Sequence, residues 1–178
     1  MRQSILFLAL VTVLGGCTGE NAAEFIVCES TYALCTTAKC QPIAGKDDTA
    51  ACNCEVKTGY SAGAKPCEGQ VETAEGPQIR SRYYPIKSYA ACDNDRPWAW
   101  CLDMPCIVDK SDPTKASCAC KLVKDKGPYL VVTDTYTDST CTTDLWSSAT
   151  ITDVNQVTDF LKTSSELKPF ELRVVNPE

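Results

Sequence analysis

The chain has 178 residues, 17 basic and 23 acidic side chains, a formal net charge of −6 and no histidine. An acidic chain without a long basic run argues against nucleic acid as a partner. The missing imidazole removes every Ser-His and Cys-His nucleophile and the commonest transition-metal ligand. Thirteen cysteines point instead to an oxidising compartment and a disulfide-stapled body.

In chain order, residues 1–16 read as an export signal. Arg2 supplies the positive start, Ile5 to Leu14 form an apolar run interrupted by Thr12, and Gly15 and Gly16 are small. That run is too short to span a bilayer. Leu14-Gly15-Gly16-Cys17 resembles the lipobox of bacterial lipoproteins. The resemblance implies that Cys17 becomes the acylated first residue, so the membrane is a partner through the lipid. Thr18, rather than aspartate, implies the outer membrane of a Gram-negative envelope. An ordinary secretory signal cleaved near Ala22 and Ala23, giving a secreted protein, is the alternative. Setting Cys17 aside leaves twelve cysteines, an even number able to pair completely.

Residues 17–24 form a polar tether. The twelve cysteines then fall into two sets of matching spacing, Cys28-x6-Cys35-x4-Cys40-x11-Cys52-x-Cys54-x12-Cys67 and Cys92-x8-Cys101-x4-Cys106-x11-Cys118-x-Cys120-x20-Cys141. The flanks repeat as well, Tyr32-Ala33-Leu34 against Trp98-Ala99-Trp100. Unit one is placed at 25–67, a linker or long loop at 68–78, unit two at 79–141, and a C-terminal extension, packing on unit two, at 142–178. The fold class expected is a small disulfide-rich, predominantly β protein with a duplicated six-cysteine unit and one short C-terminal helix. Whether the units are two beads or one pseudo-symmetric body is open, with one body favoured by the matched aromatics. Tyr129 to Tyr136, β-branched and aromatic after Gly127-Pro128, reads as a strand. Asp153 to Lys162 reads as the helix, capped by Asp153, with Val154, Val157 and Leu161 on one face. Phe170 to Val174 alternates apolar and polar as a last strand. In each Cys-x-Cys the sulfurs share a face of an extended segment and are expected to bridge to different partners.

The order of spacings is similar to that of epidermal-growth-factor-like modules, and Gly59-Tyr60 before Cys67 adds to the likeness. The resemblance implies Cys28–Cys40, Cys35–Cys52 and Cys54–Cys67, and in unit two Cys92–Cys106, Cys101–Cys118 and Cys120–Cys141. An unrelated disulfide unit, duplicated in place, is the alternative.

Candidate chemistry is sparse. A thiolate metal site on the Cys-x-Cys pairs is weighed against disulfides, which an export signal and an even count favour; no metal and no cofactor are expected. Trp98, Trp100, Tyr83 and Tyr84 make either core or a stacking platform for a glycan or peptide. Arg80, Arg82 and Lys87 make a small basic patch on an acidic chain, completing a candidate binding surface. Asp134, Asp138 and Asp144 flank Cys141 in an oxygen-rich stretch that is read as solvated loop. The function expected is a membrane-anchored envelope lipoprotein with a non-catalytic binding or structural role toward a protein or glycan. The alternatives are a cell-surface hydrolase working without histidine, a protease-inhibitor-like module, or a thiolate metal-binding protein.

Overall fold

The computed structural model describes residues 24–84, 88–166 and 173–175. The export signal, Cys17, most of the tether and Lys87 lie outside the described residues. The first unit is built on strands β1 (Ile26–Leu34), β2 (Cys40–Pro42) and β3 (Thr49–Gly63). β1 and β3 form one long antiparallel ladder from Ile26↔Gly63 to Leu34↔Glu55, and β2 sets Cys40 opposite Cys52. A short β4 (Val71–Glu72) and β5 (Pro77–Arg82) follow.

In the second unit the same plan recurs with its long strands broken. β6 (Ser88–Cys92) and β7 (Trp98–Trp100) answer β1; β8 (Pro105–Val108) answers β2; β9 (Lys115–Val123) and β10 (Tyr129–Val132) answer β3. The breaks lie at 93–97 and 124–128, where Pro97 and Pro128 lack the N–H a ladder needs. Asp125 and Gly127 turn left-handed there, at φ 54° and 68°, and Asp95 Oδ1 accepts from the Gly127 N–H at 3.0 Å. The strand read over Tyr129 to Tyr136 is shorter, ending at Val132. It joins β6, β11 (Ser148–Thr150) and β12 (Arg173–Val174) in a second sheet of order β11-β10-β6-β12. Of the expected last strand, only this β12 end lies within the described residues.

The two units meet along β3 and β9, whose antiparallel register pairs Cys52 with Cys118. These two residues hold equivalent places in the repeat, so a local twofold axis passes through the pair. Around it the backbone closes two rings of strands. One runs β1-β3-β9-β8-β5 and returns to β1 through the parallel pairing Ala33↔Ser81. The other uses β7, β9, β3 and β2 and is closed by residues 145–147, through the bridges Lys39↔Trp146 and Ala99↔Ser147. Each ring thus borrows strands from both units, and they form one body. Residues 79–82, expected to open unit two, are the closing strand of unit one's plan. Residues 145–147 are their counterpart, and they pack on both units: Leu145 O accepts from Cys40 N at 2.8 Å and Trp146 O from Ala99 N at 2.9 Å.

This register decides the disulfides. They are nested: Cys28–Cys67, Cys35–Cys54 and Cys40–Cys52 in unit one, Cys92–Cys141, Cys101–Cys120 and Cys106–Cys118 in unit two. The growth-factor-like pairing is therefore overturned. Because Leu34 faces Glu55, the next residue, Cys35, meets Cys54 rather than Cys52, which β2 has already placed opposite Cys40. As expected, the sulfurs of each Cys-x-Cys go to different partners.

The disulfide sulfurs fill a core otherwise made of small residues. Ala33, Ala50, Ala99 and Ala116 surround them, with Ile79, Val108 and Leu122 as its larger aliphatics. Sulfur here supplies volume that branched side chains supply in larger proteins. A second cluster lies under α2 (Ile151–Thr163), where Val154, Val157 and Leu161 pack on Ala62, Leu130 and Ala149. That face is the one read from the sequence, but the helix begins earlier. Thr150 is its N-cap and Asp153 is the third helical residue of a capping box. A five-residue helix α1 (Asp138–Thr142) carries Cys141.

Candidate functional site

The residues expected to form one binding surface are split between interior and rim. Trp98 is 3% exposed and stacks on Tyr129 at 6.2 Å, while Trp100 meets it edge-on at 6.3 Å and is partly buried. Tyr83 is buried and Tyr84 half-buried. The aromatic platform is core, as large rings in a small body tend to be. Arg82 is buried too, so the basic patch does not exist as read. Of its two described members only Arg80 stays near solvent, where it donates to Glu68 Oε2 at 2.6 Å and to the Asp103 carbonyl at 3.0 Å.

Arg82 is the centre of a buried polar knot. Its guanidinium pairs with Asp103 Oδ1 at 3.2 Å, and donates to Ser61 Oγ, Lys65 O and Ile26 O at 3.1, 3.1 and 2.9 Å. Burial pulls the Arg82 pKa down from its ordinary value, and Asp103 opposes that pull. Asp103 Oδ2 in turn accepts from the N–H groups of Ala64 and Lys65 at 2.7 and 3.1 Å. To reach them Asp103 sits left-handed at φ 57°, a conformation aspartate tolerates better than most residues. The knot joins the start of β1, the end of β3, β5 and the turn before β8, so it pins the start of β1. Gly63 makes room for it, since a Cβ there would lie 2.7 Å from Arg82 Nη1. Gly63→Ala is expected to displace the pair and cost about 1–3 kcal/mol, which a denaturant titration would read.

The oxygen-rich stretch is not a cluster. Asp134 accepts from Ser88 Oγ at 2.7 Å, whereas Asp144 pairs with Lys39 at 3.1 Å, which holds its carboxyl below the usual range. The sulfurs of Cys35, Cys54 and Cys118, and of Cys40, Cys52 and Cys101, do gather closely. All are bridged, so they offer no thiolate to a metal.

Besides shallow concavities beside β8 and β9, two others are formed among the described residues. A narrow slot of about 20 Å³ lies between α2 and β7, lined by Phe25, Trp100, Leu102, Val154 and Val157 with Tyr83, Ser147 and Asp153. Burial pushes the Tyr83 hydroxyl pKa up. The slot is closed around a neutral phenol and reads as a packing seam. An open cleft of about 460 Å³ lies where the turn after β2, the 93–97 loop, the end of β9 and residues 143–145 converge. Sequence reasoning passed over it, because its residues are scattered along the chain and only the ring closure by 145–147 assembles them. No protein-family model, curated protein or solved structure matches this chain.

Proposed function

We propose that this protein is an envelope lipoprotein, held on a membrane by acyl chains on Cys17, whose body is a rigid binding module without catalysis. The observation that supports it most is the cysteine balance. The six bridges take up every cysteine from Cys28 to Cys141, and Cys17, directly after the signal-like segment, has no cysteine of the chain left to pair with. A disulfide core of this density fits an exported protein. Acyl chains contribute roughly 0.8 kcal/mol per buried CH₂, so two or three hold a protein on a bilayer. From Cys17 to Glu24 the tether reaches at most about 25 Å, which keeps the body near the headgroups.

The test is Cys17→Ser in a Gram-negative host. The variant is expected to leave the outer-membrane fraction for the soluble periplasmic one and to lack acyl mass. Retention in the membrane with an unchanged mass would contradict the reading.

A further inference from the structure

The local twofold makes the molecule its own control, because equivalent places in the two units can be compared for charge. The turn after β2 and the turn after β8 are equivalent, each joining a short strand to the long one through the same spacing between cysteines. Where the first has Ile43 and Lys46, the second has Asp109 and Asp112. Asp112 is folded onto its own turn, accepting from Thr114 N at 3.1 Å. Lys46 instead lines the open cleft, which also receives Arg96 and Lys124, with Asp47 as its one carboxylate. The two turns carry the same formal charge, since the second also has Lys110 and the first Asp47 and Asp48; what sets the first apart is that Arg96 and Lys124 converge on it.

These cations are not consumed by the protein. Lys46 and Lys124 are exposed and make no ion pair among the described residues. Arg96 is half-buried; its Nη2 donates to Thr143 O at 3.1 Å, which fixes the guanidinium, while its buried Nε has no partner. Neighbouring Lys39 differs, being tied to Asp144 at 3.1 Å and lying 5.0 Å over the Trp146 ring. The floor between the cations is apolar, made by Ile43, Pro97, Leu122 and Leu145.

We infer that this cleft binds a phosphate monoester carried on an apolar body. A monoester holds roughly 1.5 to 2 negative charges at pH 7, which matches three cations set against one carboxylate. A guanidinium held in place through its Nη2 suits an oxyanion. The apolar floor takes the body of the ester, which inorganic phosphate lacks. The inference concerns the folded body and stands or falls independently of acylation at Cys17.

The test is a titration of the full-length protein, in detergent micelles, with phenyl phosphate, followed by backbone amide shifts. Saturable shifts are expected at residues 43–47, 96–97, 122–124 and 143–145, with phenol producing none. Lys46→Ala/Lys124→Ala is expected to weaken binding at least tenfold while leaving the rest of the spectrum in place. Lys110→Ala/Lys162→Ala, the same charge change elsewhere, is expected to change it less than twofold. Affinity is also expected to fall between pH 7 and pH 5, as the phosphate regains its second proton. Displacement of phenyl phosphate by dihexanoyl phosphatidic acid would identify a lipid headgroup as the source of the ester, whereas equal displacement by glucose 6-phosphate, whose body is polar, would overturn the apolar-body assignment. Unsaturable shifts, equal response to phenol, or equal weakening in the two double variants would overturn the assignment.

Discussion

Asp103→Ala is expected to lower the unfolding free energy by about 3–5 kcal/mol, the range for removing one partner of a buried pair. The reason is what it leaves behind. Arg82 is 3% exposed and would keep its charge with the opposing carboxylate gone. Two backbone N–H groups, of Ala64 and Lys65, would lose their acceptor as well. Asp103→Asn keeps one acceptor and tolerates the left-handed backbone, but its amide nitrogen then faces either Arg82 or the Ala64 and Lys65 N–H groups, donor against donor, so it should cost only somewhat less than the alanine change. The diagnostic comparison is a double-mutant cycle. Arg82→Gln/Asp103→Asn is expected to lose clearly less than the sum of its single changes, because neither charge is then stranded. Additive losses in urea titrations would mean that the pair contributes no coupling and that the knot is held by hydrogen bonds alone.

Replacing the Cys35–Cys54 bridge, as Cys35→Ala/Cys54→Ala, is expected to cost about 3–5 kcal/mol. Part is the restored freedom of the unfolded chain, since the bridge spans 19 residues. Part is lost packing, since Cys35 Sγ lies 3.3 Å from Cys118 Sγ across the two units, and a cavity there cannot collapse without moving another bridge. The twofold sharpens the expectation. Cys101→Ala/Cys120→Ala removes a bridge of identical separation, 19 residues, from the equivalent place. Thermal unfolding of the two variants should show matching losses, within about 1 kcal/mol given the usual spread at fixed chemistry. A loss in one and none in the other would mean that the rings do not share the core as described.

Much of the architecture is legible in the cysteines alone. Equal spacing shows the duplication, and alternation through Cys-x-Cys shows that both sulfurs face inward. The face of α2 can be read because Val154, Val157 and Leu161 fall at helical spacing, and an amphipathic stripe needs no knowledge of its partner. The connectivity cannot be read, since it depends on register. Cys35 meets Cys54 because Leu34 faces Glu55, and spacing along the chain says nothing of pairing across it. The ring closures are hidden for the same reason. Residues 79–82 and 145–147 carry no cysteine, so the repeat seemed to stop at Cys67 and Cys141 while its last strand lay beyond.

Arg82 was misread for a subtler reason. In β5, Ile79 and Ser81 face the core, so alternation puts Arg82 on the outer face, where a cation is ordinary. It is buried because the chain at 64–65 and the start of β1 fold over that face. The open cleft escaped notice because Lys46, Arg96 and Lys124 come from three separate loops. None belongs to a motif, and only the exchange of strands between units brings them together.

Twelve cysteines form two nested sets of three bridges, and Cys17 is proposed to carry the lipid. The most direct measurement is a non-reducing peptide mass map of protein extracted from its membrane, with bridged peptides fragmented to assign each pair. The expected result is Cys28–Cys67, Cys35–Cys54 and Cys40–Cys52, the equivalent three in unit two, and an N-terminal peptide whose Cys17 carries acyl chains. Free thiols among the twelve, a crossed pairing such as Cys28–Cys40, or Cys17 found in a disulfide would contradict it.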